Sequence, residues 1–223
     1  MADAQAREKI LGAFLTLLAE KRFERIELSE VAQLANVSLA DLRGEFGSTF
    51  DMVAAFVRET DKKVLSGGEP SKLDPELSDQ SARDRLFEVL MRRFEALSPY
   101  REAIRSLYRS ARTNPQLAMG LNKLAVRSQQ WMLSSAGIGS SGIVGGMRAQ
   151  ALAGFFAKAT QTWLDDEDPG LARTMAALDR QLATAERLAG FAREMCRFVP
   201  RCAPRRSRRD EAFPEDPSAP VAA

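Results

Sequence analysis

The sequence predicts an all-α protein. Long stretches rich in Ala, Leu, Arg and Glu are broken only where glycine and proline cluster. Strand-favouring runs of Val, Ile, Thr and Tyr are missing. Apolar residues instead return at intervals of three and four, the period of a helix with one buried face. A chain of 223 residues suits one domain of moderate size, or a small domain joined to a larger one. At that size it can bury roughly 70% of its unfolded surface without a disulfide or metal staple.

The first helix runs from about Ala4 to Lys21, with Ile10, Phe14, Leu17 and Leu18 on one stripe. "RFERIEL" breaks it. Ser29 is expected to cap a short second helix, "EVAQLA". Asn36 tolerates the left-handed backbone of a tight turn. Ser38 caps the third helix, with Asp41 completing a capping box. Gly47 and Ser48 end that helix and cap the fourth, "TFDMVAAFVRETDKKVL". Residues 66–80 form a polar connection bearing Pro and Gly.

Two amphipathic helices follow, "SARDRLFEVLMRRFEAL" and "PYREAIRSLYRSART", separated by Ser98 and Pro99. The next begins at Pro115, a favoured first helical position. After "GIGSSG" comes the most apolar helix, "IVGGMRAQALAGFFAKATQTWL", which "DDEDPG" stops. The last helix extends from Leu171 to about Val199. From Pro200 the chain turns to proline and dense charge, including "RRSRR", and is expected to be a disordered tail. The expected divisions are thus 1–65, a helix-turn-helix domain; 66–80, a connection; 81–199, a helical domain; and 200–223, the tail.

Composition excludes much chemistry. Histidine is absent, which removes imidazole acid–base catalysis, the nucleophilic triads that need it and most zinc sites. Neither "SGGEPS" nor "GIGSSG" follows a strand or carries a P-loop lysine, so both are read as interhelical loops. No catalytic residue, metal ligand or cofactor is assigned, and an enzyme is not expected. Cys196 and Cys202 lie beside the tail, where a structural disulfide is not expected. The first apolar run is interrupted at helical spacing, unlike a signal peptide, and no run of 18 apolar residues exists. A cytoplasmic location is expected.

The motifs "LLAEKRF", "VA", "ANVS", "LRGEF" and "ST" resemble, at the same spacings, the DNA-binding domain of the TetR family of transcriptional regulators. Val31, Ala32, Ala35, Val37, Leu42 and Phe46 hold the positions that pack its three helices. The resemblance implies a helix-turn-helix that lays its third helix in the major groove of double-stranded DNA. On it, Ser38, Leu39, Ala40 and Arg43 are the candidates for DNA contact, with Thr49 at the start of the fourth helix and Lys21, Arg22 and Arg25 beside the backbone. The departures from the family pattern fall on that face: Glu27 for a threonine, Arg43 for a tyrosine, Glu45 for an aromatic residue and Thr49 for a lysine. Residues 1–50 carry six Arg and Lys against eight Asp and Glu, whereas a DNA-binding domain is usually basic.

For the remainder the resemblance implies a helical ligand-binding and dimerisation domain. The small residues Gly145, Gly146, Ala149 and Ala153, with Phe156, Leu182 and Leu188, are candidates for a homodimer interface. Phe94, Tyr108, Trp131, Met147 and Phe155 are candidates to line a site for a small apolar or lipid-like effector. Arg101, Arg105, Arg109 and Arg112 recur at helical spacing and suit either an anionic headgroup or a solvated face. A repressor released by its effector is the expected function.

A looser similarity, carried by Pro99 and Tyr100, Trp131, Arg148 and the acid-x-Pro turn before the last helix, is to the TetR-like lipid-binding accessory proteins of ubiquinone biosynthesis. It implies lipid presentation without DNA binding. The last helix has an apolar stripe beside Arg180, Arg187, Arg193 and Arg197, which suits a bundle interface or peripheral membrane contact.

Overall fold

A computed structural model describes the backbone over residues 2–67 and 81–198, and side chains over 5–67 and 81–187. Among the described residues there are nine α-helices and no strand. They are α1 (Ala2–Glu20), α2 (Leu28–Ala35), α3 (Leu39–Glu45), α4 (Thr49–Ser66), α5 (Ala82–Leu97), α6 (Arg101–Thr113), α7 (Pro115–Ser135), α8 (Gly142–Leu164) and α9 (Ala172–Phe198). Most of the expected connection and the whole expected tail lie outside the described residues. So do the side chains of Leu188, Arg193 and Arg197.

Local chemistry sets most helix boundaries. A Ser-x-x-Asp pattern occurs three times: Ser38, Ser48 and Ser81 each accept the backbone amide of the Asp three residues on, at 3.1, 3.2 and 3.2 Å. Each satisfied amide stabilises its helix by about 1 kcal/mol, and the Asp places negative charge at the positive end of the dipole. Asn114 does the same for α7 through the Leu117 amide at 3.0 Å, with Pro115 in the first turn.

The second helix departs from expectation. It begins two residues earlier, with Glu27 at the N-cap rather than Ser29. Glu30 reaches back to the Glu27 amide at 3.3 Å, while the Ser29 hydroxyl donates to the Glu27 carboxylate. α2 then closes as sequence predicts. Asn36 takes φ 53°, its amide bonds Gln33 and the Val37 amide bonds Ala32, the paired bonds of a Schellman stop. Gly137, at φ 74°, ends α7 by the same pair of bonds, to Ser134 and, through Ile138, to Leu133.

Met1–Ala185 form one compact unit. Within it the three N-terminal helices do not stand apart, because α1 lies along α6. The Ser106 hydroxyl bonds the Lys21 carbonyl, and the Phe23 amide bonds the Ser110 hydroxyl at 3.1 Å. Phe14 and Leu18 of α1 meet Val53 and Phe56 of α4 and Ala103, Ile104 and Leu107 of α6 around a void of only about 10 Å³. α4 carries the chain onward without a break, packing on α1, α5 and α7.

α7 and α8 form an antiparallel hairpin. Asn122 and Gln150 exchange two amide hydrogen bonds, at 3.2 and 3.0 Å. The hairpin closes so tightly that a Cβ on Gly145 would stand 2.2 Å from the Ser140 carbonyl carbon. Two of the expected headgroup arginines instead finish α8: Arg105 bonds the Leu164 carbonyl and pairs with Asp165 at 3.0 Å, and Arg101 bonds the Asp166 carbonyl at 2.6 Å. Buried Asp166 then starts α9 by accepting the Thr174 hydroxyl at 2.7 Å and amide at 2.8 Å. Burial works against its charge. The Thr174 and Asp168 bonds, with Arg173 nearby, outweigh it and hold the carboxyl below its usual range.

Candidate functional site

α2, the Asn36 turn and α3 form a helix-turn-helix held from within. Val31, Ala32, Ala35, Leu42 and Phe46 are buried and Val37 packs against them, the six positions sequence assigns to packing. The outer surface of α3 is left to Ser38, Leu39, Ala40, Arg43 and Gly44, all exposed. Leu39 is 56% exposed.

The acids on this face are occupied. Asp41 turns back to Ser38, accepting its hydroxyl at 2.7 Å and its amide at 3.3 Å. Glu45 pairs with Arg7 of α1 at 3.5 Å. Arg7 also donates to the Glu45 carbonyl at 3.3 Å and lies 4.5 Å over the Phe46 ring. Neither carboxylate is left bare at the protruding end of α3, and among the described residues Arg43 makes no hydrogen bond or ion pair. Thr49 is half-buried at the first position of α4.

The flanking cations divide. Lys21 is bound to Glu30, and that amine, with the Glu27 amide, keeps the Glu30 carboxyl below its usual range. Arg22 donates to Thr113 at 3.5 Å. With Arg25, Glu24, Asn114 and Pro115 it lines a cleft of about 360 Å³ between the end of α1 and the α6–α7 corner. Burial raises the Glu24 carboxyl, but hydrogen bonds from its own backbone, Ser110 and Asn114, and the Arg22 charge, bring it below the usual range. Two of the three expected phosphate contacts therefore serve the chain itself.

The expected effector residues are dispersed. Phe94 is fully buried, stacked on Phe156 with centroids 4.7 Å apart and tilted against Trp163 at 5.6 Å. Tyr108 is largely buried, its hydroxyl bonding the Ala157 carbonyl at 3.3 Å; burial pushes that phenol up, against a hydrogen bond from Thr160. Phe155 is half-buried. Trp131 and Met147 point outward, 57% and 68% exposed. The apolar pocket that sequence places among these five is not formed by them together.

Sequence reasoning missed a buried polar cluster in the same bundle. Arg93 of α5 pairs with Asp61 of α4, side chains 7% and 12% exposed, and the Ser128 hydroxyl of α7 donates to the same Asp61 oxygen at 2.7 Å. Arg93 Nε, Gln129 Oε1 and Trp163 Nε1 are buried without a hydrogen-bond partner. Each such atom costs about 1–3 kcal/mol. The signal was present in α5, where Leu86, Leu90, Arg93 and Leu97 occupy one stripe and Arg93 is its single cation.

The dimer candidates are likewise spread over different surroundings. Ala149, Ala153 and Leu182 are buried inside this chain, Phe156 is spent on Phe94, and Gly145 is consumed by its own loop. Only Gly146 among the described ones keeps open space above its Cα. The outward face of α8 presents larger side chains, Ile143, Val144 and Met147.

A helix-turn-helix mounted through α1 and α4 on a helical bundle is the TetR fold. Three solved structures share it. A TetR transcriptional regulator from Nitrosomonas europaea ATCC 19718 superposes at TM-score 0.62 with 21% identity, over 81% of this chain and 97% of that one. One from Rhodococcus sp. RHA1 gives 0.56 and 19%, over 83% and 97%. A TetR-family regulator from Streptomyces coelicolor gives 0.55 and 16%, over 89% and 88%. No family model matches the sequence, and no curated protein does.

Proposed function

We propose that the chain is a one-component transcriptional regulator: a homodimeric, cytoplasmic repressor that binds double-stranded DNA through α3 and releases it on binding a small ligand. The observation that carries this reading is the state of the acids on α3. Asp41 and Glu45 are engaged by Ser38 and Arg7, so the exposed end of the helix offers Arg43 to the major groove. An arginine there pairs with guanine O6 and N7, and exposed Leu39 suits a thymine methyl group. With Lys21 and Arg22 bound within the chain, few phosphates are neutralised, so affinity depends on base contacts and falls gently with salt.

The outward face of α8 supports a dimer. Ile143 (86% exposed), Val144 and Met147 form an apolar strip that a second copy would cover by two-fold symmetry. Two copies would set their third helices in successive major grooves, about 34 Å apart. Among the described residues no helix is long and apolar enough to cross a membrane, in keeping with this reading.

The test is retention of fragmented genomic DNA by the purified protein at moderate salt, followed by sequencing. A few sharp palindromic peaks are expected. Retention no greater than in a protein-free control refutes the regulator reading.

A further inference from the structure

Arg7 stands on the second turn of α1, 38 positions before the end of α3, and three contacts tie it there. Its Nη1 donates to the Glu45 carbonyl at 3.3 Å and lies 3.5 Å from the Glu45 carboxylate. Its guanidinium carbon lies 4.5 Å over the ring of Phe46, which is buried. The ring sets the plane of the guanidinium and the carbonyl sets its height. The carboxylate is therefore held toward α1 by a cation already anchored twice. The two side chains are 32% and 24% exposed, so their attraction is weaker than in a core but less screened than on an open surface.

Arg43 cannot serve Glu45 in place of Arg7. Two residues apart on a helix, side chains do not face each other. The Arg43 guanidinium instead lies beside Gly47, where a Cβ would stand 3.5 Å from its Nη1. Glu45 is the last residue of the helix that enters the groove in the regulator reading. A bare carboxylate there would repel the phosphates that flank the groove, whereas a paired one presents them with almost no net charge.

We propose that Arg7 is a positioning residue for operator binding. It touches no DNA, and acts by keeping the Glu45 carboxylate neutralised and turned from the duplex. This role rests on the regulator reading. It divides the work of two arginines: Arg43 reads the groove, and Arg7 makes the end of the same helix tolerable to the backbone. In a two-fold dimer the pair recurs in both half-sites, so its loss is felt twice.

The test is a double-mutant cycle, read by fluorescence anisotropy on an operator fragment recovered from genomic DNA. Arg7→Gln keeps the reach and a donor for the Glu45 carbonyl while removing the charge. Glu45→Gln removes the carboxylate. Circular dichroism and thermal melts check that the single and double variants keep the fold. With Glu45 present, Arg7→Gln is expected to weaken binding about tenfold; with Glu45→Gln in place, the same change should cost less than about twofold. An equal loss in both backgrounds would show Arg7 gripping a phosphate itself, and no loss in either would show a pair without bearing on DNA. Both outcomes overturn the role. A wild-type chain that retains no palindromic fragment refutes the regulator reading and this role with it, whereas one that binds its operator with additive effects refutes the role of Arg7 alone.

Discussion

At the scale of single residues, the acids of α3 show how composition can mislead. Six cations against eight acids over residues 1–50 suggests a surface that repels phosphate. Asp41 is a capping ligand, Glu45 pairs with Arg7, and Glu30 pairs with Lys21, so these contacts leave the net charge as it was but fix where the acids point. Arg43 is the free cation at the centre of that face, and Arg43→Ala should weaken operator binding by about 1–3 kcal/mol and relax base preference at one position of each half-site. Fluorescence anisotropy on wild-type and single-substituted operators measures both effects; an unchanged preference would show that Arg43 reads no base. Asp166 supports a pH prediction. Its carboxyl is held low in the fold, so its contribution is complete above the unfolded value, near 3.9, and fades as pH falls through the lower folded value. Urea midpoints of wild type and Asp166→Asn should therefore differ most at pH 7 and converge in strong acid. A gap that widens in acid would contradict the assigned bonds.

Helices and their ends were legible where the code is local. The Ser-x-x-Asp caps and the left-handed Asn36 follow from neighbours three residues apart, and the structure has them. Glu27 as an N-cap was not legible, because glutamate rarely takes that position and Ser29 offered the commoner choice. Side-chain destinations were harder to read. A row of small residues in α8 reads as an interface between copies, yet the same row serves its own hairpin, and only the loop geometry decides between them. Gly145 measures how tightly that hairpin is closed. Gly145→Ala drives a methyl group into the Ser140 backbone, which unlike a side-chain tip has nowhere to swing. It should cost about 2–3 kcal/mol, whereas Gly146→Ala, with open space above it, should be neutral or slightly stabilising. Thermal melts of the two variants compare them directly, and equal losses would refute the close approach.

For the whole molecule, sequence indicated the class of fold because apolar periodicity over long segments is averaged over many residues. Arg93 escaped notice because a cation within an apolar stripe is ordinarily read as a snorkelling surface residue, and its partner Asp61 lies 32 positions away on another helix. Assembly is the property to test at this scale. Replacing both Ile143 and Met147 by Asp puts charge on the strip without touching the core. It should turn a dimer into a monomer of unchanged helix content, as light scattering with circular dichroism would show. An unaltered molar mass would place the interface elsewhere.

The seat of α1 on α6 also has a consequence for how the protein is made. Phe14 and Leu18 are covered by Ala103, Ile104 and Leu107, residues some ninety positions downstream. A ribosome releasing the chain from its first residue therefore delivers the helix-turn-helix long before the surface that completes it. The α7–α8 hairpin, by contrast, finds its partner within a few residues and can close as it emerges. Until α6 is out, an apolar face of α1 waits in water, a target for chaperones or for another nascent chain. The helix-turn-helix is synthesised before α6 and finished only with it, and a fragment ending at residue 67 would keep that exposed face permanently.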